Sequence, residues 1–221
     1  MSRRWSPYDM NGGSIVAIAG EDFAVIGSDT RLSTGFTIWT REQRRIHKVS
    51  DNTVVGQVGF HGDCQFLKKI MDTRSKMYHF DHGKQMSCSA TASLVSKLLY
   101  SRRFFPLYVY NIVIGCEKDP QTGKYKGLVY GYDPVGSYDS QPYGALGTAG
   151  PLLQPLLDNQ LGYKNMENPT FVPLTKERAI SLIKDVFISA AERDIYSGDN
   201  AHIVMVDEQG IHEEFMPLRR D

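Results

Sequence analysis

This 221-residue chain lacks net charge, long apolar runs and more than three cysteines, and each shortage removes a class of function. Lysine plus arginine and aspartate plus glutamate both number 25, so no basic stripe points to nucleic acid. The densest basic run, residues 41–48, is broken by Glu42, Gln43 and Ile46 and is expected to be a solvated face. No stretch approaches the roughly 18 uninterrupted apolar residues that span a bilayer, so no membrane role is expected. Residues 1–8 carry charge but no apolar core, so no secretory signal is expected either. Cys64, Cys88 and Cys116 are odd in number and lack metal-ligand spacing; buried thiols in a reducing compartment are expected, with no metal and no cofactor.

What is present comes in blocks. Residues 12–20 and 23–31 form two β-prone runs around the turn Gly20-Glu21-Asp22, and residues 52–60 predict another strand. Helical periodicity follows over residues 63–78 and 90–102. Residues 107–114 and 127–132 predict a hairpin. Leu152, Leu153, Leu156, Leu157 and Leu161 mark a helix opened by Pro151, and a further helix follows Thr175, a candidate N-cap. Residues 201–206 and 211–215 close the chain as a hairpin. Strands, two helices, strands, two helices, strands: the order predicts an α+β fold of layered antiparallel sheets in one domain.

Five separated motifs give the chain a family likeness: Gly12-Gly13, Ser28-Asp29-Thr30-Arg31, Gly59-Phe60-His61-Gly62-Asp63, Gly147-Thr148-Ala149-Gly150 and Arg193-Asp194-Ile195-Tyr196-Ser197-Gly198-Asp199. In this order and at these distances they resemble the proteasome β subunits of the N-terminal nucleophile hydrolases. Stretches such as Tyr132-Asp133-Pro134-Val135-Gly136-Ser137-Tyr138 are similar to one non-catalytic subunit type, the one at the sixth place in the eukaryotic ring. The resemblance implies a four-layer αββα sandwich over residues 13–221, with residues 1–12 as a leader or arm. It also implies partners: β neighbours in a seven-membered ring, the α-ring subunits and the opposite β ring of the 20S core. Cytoplasm and nucleus are the implied compartments.

Active members of this family need a hydroxyl on the first residue, its free α-amine as base, a lysine beside that amine and a carboxylate orienting the lysine. The family's carboxylate lies 16 residues after the nucleophile, and 29 − 16 = 13 falls on Gly13, which has no side chain to attack with. The family's lysine lies 16 residues further on, and 29 + 16 = 45 falls on Arg45, which holds charge but does not hand protons on. Asp194 and Ser197 match the carboxylate and hydroxyl that flank the active amine, and Thr148 stands where a serine is usual. The resemblance therefore implies a vestigial site at Gly13, Asp29, Arg45, Thr148, Asp194 and Ser197 with no catalytic residue.

The alternative nucleophile is Ser14, exposed if the chain were cut after Gly13, making the protein a self-processed serine hydrolase. Its spacing to Asp29 is 15, and a one-residue slip in a strand turns side chains to the opposite face. Counting the nucleophile-to-lysine distance from Ser14 reaches Ile46, with Lys48 out of step. His61 beside Asp63 lacks a nucleophile motif and is expected to be a hydrogen-bonded loop histidine. In the resembling subunit the matching loop lines part of a neighbouring active subunit's cleft, which implies that Asp133 and Ser137 meet peptide there without cutting it.

Overall fold

The computed structural model describes residues 6–221; residues 1–5 of the expected leader lie outside the described residues. Two five-stranded antiparallel sheets form the centre. The first pairs β10 (Tyr143–Gly147), β1 (Ser14–Ala19), β2 (Ala24–Asp29), β11 (Asn200–Asp207) and β12 (Gly210–Pro217), in that order. The second runs β5 (Ile46–Ser50), β6 (Thr53–Gly59), β7 (Val109–Lys118), β8 (Tyr125–Tyr132) and β9 (Tyr138–Ser140). A two-stranded ribbon, β3 (Leu32–Thr34) and β4 (Thr37–Thr40), stands apart from both sheets.

Period-2 alternation decides the layering, because successive strand residues face opposite sides of a sheet. Along β1, Ile15 and Ala17 enter the core between the sheets, whereas Val16 and Ile18 face α3 (Gly150–Gln160) and α4 (Lys176–Arg193). Along β7, Ile112 and Ile114 join the inter-sheet core, and Val109 and Val113 face α1 (His61–His82) and α2 (Cys88–Tyr100). Both central sheets are thus buried on two faces, and the layers stack helix pair, sheet, sheet, helix pair. This is the expected αββα sandwich. Its start and stop signals work as read: the Thr175 hydroxyl accepts the Arg178 N–H at 3.3 Å at the head of α4, and Pro151 sits in the first turn of α3.

Several elements depart from the sequence reading. β3, β4 and β9 are three or four residues long, too short to show an apolar alternation, and β9 is wholly exposed. Two glycines in five residues hide β10. The basic run is not simply a solvated face: Arg44 and Lys48 are exposed, but Arg45 is 5% exposed and Ile46 starts β5 in the inter-sheet core. His61 is not in a loop; it is the first residue of α1, its N–H donating to Asn11 Oδ1 at 2.8 Å. Asp63 accepts the Tyr108 N–H instead of orienting that imidazole. Packing also continues upstream of the expected boundary at residue 13. Asn11 is buried and bonds Thr34 Oγ1 at 3.1 Å, and the Tyr8 hydroxyl donates to the Pro106 carbonyl at 2.7 Å.

The three cysteines are free and buried, and burial pushes Cys64 up to about 12 and Cys116 to about 11, which leaves these thiols inert. His47 on β5 is held far below its ordinary value, at about 4, by burial first and then by the charges of Lys68, His202 and His61. An imidazole that is harder to protonate folded than unfolded binds fewer protons in the native state, so stability falls as pH drops from about 6.5 towards 4. The full shift corresponds to about 3 kcal/mol. A His47→Gln chain should therefore lose less stability than the parent between pH 7 and pH 4.5, measured as the urea midpoint. Parallel profiles would refute this.

Candidate functional site

The six residues singled out around Gly13 meet in one centre, buried at Gly13, Asp29, Arg45 and Ser197 and half-buried at Thr148 and Asp194, although they come from six places in the chain. Gly13 immediately precedes β1, Asp29 closes β2, Arg45 precedes β5, Thr148 links β10 to α3, Asp194 caps the end of α4, and Ser197 lies in the turn before β11. Asp29 is fully buried. Its Oδ1 accepts the Ser14 N–H at 2.8 Å and its Oδ2 the Arg31 N–H at 3.0 Å. Arg45 Nε lies 3.2 Å from Asp29 Oδ1 without aiming its hydrogen along that line, so the contact is one of charge. Arg45 Nη2 donates to the Arg31 carbonyl. Burial pushes the Asp29 carboxyl above its ordinary value, against the Arg45 charge and the backbone donors of Ser14, Arg31 and Gly198.

Gly13 adopts φ +91°, in the region that L side chains avoid. A Cβ built there would lie 2.1 Å from Arg45 Cζ and 2.4 Å from its Nε. The guanidinium thus fills the volume that a side chain at residue 13 would need. On the other side of Gly13 the Thr148 N–H donates to the Gly13 carbonyl at 3.0 Å. Asp194 Oδ2 accepts from Thr148 Oγ1 at 2.6 Å and from Ser197 Oγ at 2.7 Å, while Oδ1 takes the Tyr196 N–H at 3.0 Å.

Ser14, the alternative nucleophile, is fully buried in the same network. Its Oγ accepts the Ala149 N–H at 2.8 Å and lies 3.0 Å from Ser197 Oγ. A cavity of about 470 Å³ opens beside Gly13, lined among others by Gly59, Tyr110, Leu146 and Thr148, but neither Ser14 nor Arg45 lines it. Asp133 and Ser137 stand apart from this centre, exposed in the turn between β8 and β9.

One neighbouring feature went unread in the sequence. Arg31, two residues beyond Asp29, is buried against Asp199 at 2.9 Å and also donates to the carbonyls of Ile195 and Arg219. Arg41 reaches the same carboxylate. The partners lay in two of the quoted motifs, 168 residues apart, and only the pairing of β2 with β11 brings them together.

Two antiparallel sheets lie between helix pairs, with a polar centre gathered at the start of β1 and a glycine, which has no side chain, at residue 13. The chain belongs to the proteasome subunit family, whose profile matches residues 10–206. It is 52% identical over 221 residues to proteasome subunit beta type-1 of Danio rerio, covering all of this chain and 91% of that protein. The Arabidopsis thaliana protein of the same name is 45% identical, with 98% and 97% covered. Proteasome subunit beta type-6 of Saccharomyces cerevisiae is 40% identical, with 100% and 93% covered.

Proposed function

We propose that this chain is a non-catalytic β subunit of the 20S proteasome core, closing the proteolytic chamber and shaping the substrate pocket of an adjacent active subunit. The observation that carries the reading is the Arg45 guanidinium standing where a nucleophile on residue 13 would be. Proton transfer there has no agent either, since an arginine stays charged and an uncut chain leaves the nitrogen of residue 13 an amide. Asp29, Thr148, Asp194 and Ser197 then act as structure: Asp29 takes the buried Ser14 N–H, and Asp194 takes the hydroxyls of Thr148 and Ser197.

Assembly is supported by the large apolar side chains the isolated chain leaves in water, Phe36, Phe80, Phe104 and Phe105 among them. β neighbours in a seven-membered ring, the α ring and the opposite β ring are the proposed partners, in cytoplasm and nucleus. The role beside a neighbour's cleft falls to Asp133 and Ser137. Both are exposed, and Asp133 uses only Oδ1 internally, accepting the Val135 and Ser137 N–H groups at 3.0 and 2.8 Å. The second oxygen remains for a substrate.

Purification through a tag on this chain should yield a particle of many related subunits with peptidase activity. In that particle Asp133→Ala should raise KM about 10- to 100-fold for chymotrypsin-type peptides that reach the loop, the size of one lost hydrogen bond to a charged group. A single-subunit particle, or an unchanged peptide profile, would overturn the assembly or the pocket role respectively.

A further inference from the structure

The Asp133–Ser137 turn is held from behind by α2. Ser89, Ser93 and Ser96 recur at i, i+4 and i+7, a spacing that places three hydroxyls on one helix face. Serine is a poor helix interior residue because its hydroxyl competes for backbone partners, and here the hydroxyls leave the helix. Ser89 Oγ lies 3.3 Å from the Tyr130 hydroxyl and Ser93 Oγ 3.3 Å from that of Tyr138. Ser96 Oγ donates to the Gly136 carbonyl at 2.6 Å, the shortest contact of the three. Ser101, just beyond the helix, shows the ordinary local alternative, bonding the Leu98 carbonyl three residues back.

The turn is shaped to lie flat on that face. Gly136 takes φ +94°, and a Cβ there would come 2.5 Å from the Ser96 carbonyl oxygen and 3.1 Å from Leu99 Cβ. Its N–H donates to the Asp133 carbonyl, and the Asp133 N–H donates to the Ser137 carbonyl, closing the turn on itself. Beneath, the Tyr132 hydroxyl donates to the Ala92 carbonyl at 2.7 Å, and the Tyr132 and Tyr138 rings stack 5.1 Å apart. The turn's own bonds fix its shape, the Tyr132 and Tyr138 hydroxyls hold its two flanks to α2, and Ser96 bonds the turn itself.

We infer that Ser96 is a positioning residue for peptide selection: it pins Gly136 to α2 and so aims Asp133 and Ser137 at the substrate that occupies the neighbouring subunit's cleft. This rests on the pocket role proposed above. Removing the hydroxyl leaves the fold intact, since alanine is the better helix former, but frees the turn to shift by fractions of an ångström. Loss of preorganisation weakens binding of ground and transition states alike, which raises KM and leaves kcat alone.

The test uses the assembled core particle carrying this subunit as Ser96→Ala, Ser96→Thr, Asp133→Ala or Ser101→Ala, with two fluorogenic probes: a tetrapeptide long enough to reach the turn and a dipeptide too short to do so. Ser96→Ala should raise KM for the tetrapeptide about 3- to 10-fold at unchanged kcat, the scale of one hydrogen bond, without touching the dipeptide. Ser96→Thr should restore the parent value, and Ser101→Ala should match it throughout. If Asp133→Ala shifts the tetrapeptide KM and Ser96→Ala does not, the positioning role is wrong while the pocket role stands. If neither shifts, both fall. Equal losses for both peptides in Ser96→Ala would mark general damage and also overturn the inference.

Discussion

Placing a threonine at residue 13 should not create a protease; it should cost the chain about 4–8 kcal/mol and much of its incorporation into particles. Two effects add. Residue 13 sits at φ +91°, where a β-branched side chain carries backbone strain of about 1–3 kcal/mol. The new side chain also needs the space of Arg45 Cζ, Nη2 and Nε. That guanidinium has a flexible stem, so it can be displaced, but leaving strands the fully buried Asp29 carboxylate without its counter-charge. Breaking a buried pair from one side costs about 3–5 kcal/mol, which outweighs simple overpacking. The single variant should therefore show a thermal midpoint lowered by about 10 °C or more, and Gly13→Thr combined with Arg45→Lys should recover part of it by giving back volume while keeping charge. A Gly13→Thr chain as stable as its parent would show that the guanidinium does not occupy that volume in solution.

Asp199→Ala should be the other severe change. Its carboxylate is completely buried and answers two arginines, with Arg31 itself only 4% exposed at the side chain. Truncation leaves the Arg31 charge in the interior with only the Ile195 and Arg219 carbonyls to face. The expected loss is again about 3–5 kcal/mol. Because the two arginines this carboxylate holds donate to the Arg219 and Arg220 carbonyls, the residues beyond β12 should become open to carboxypeptidase in the variant. Asp199→Asn, which keeps an acceptor for the Arg31 Nε–H, should fall between the two. Unaltered trimming and an unaltered midpoint in Asp199→Ala would refute the tie.

How much of this was legible in sequence follows from which interactions are local. The opening hairpin, the helix pairs and the final hairpin announce themselves because their burial repeats every two or 3.6 residues, and that repeat alone separates the faces of β1 and β7. Short polar strands such as β4 and β9 have no such repeat; pairing with a neighbour's backbone makes them strands. The centre was legible through the family's 16-residue offsets, which the resemblance carries onto positions 13, 29 and 45, and the fold does gather them. Counting gave no hint that Arg45 would turn its guanidinium onto Gly13, or that Ser14 would spend its hydroxyl on Ala149 and Ser197. Those depend on approach distances between segments far apart in the chain. The same holds for Arg31 with Asp199, and for Ser96 with Gly136.

The measurement that bears most directly on the vacant centre is mass spectrometry of the intact chain from native particles treated with a peptide epoxide, which forms a covalent ring with a nucleophilic N-terminal residue. The account predicts adducts on neighbouring subunits, none on this chain, and an N-terminus upstream of Gly13. A chain beginning at Gly13 or Ser14, or one carrying the epoxide, would contradict it.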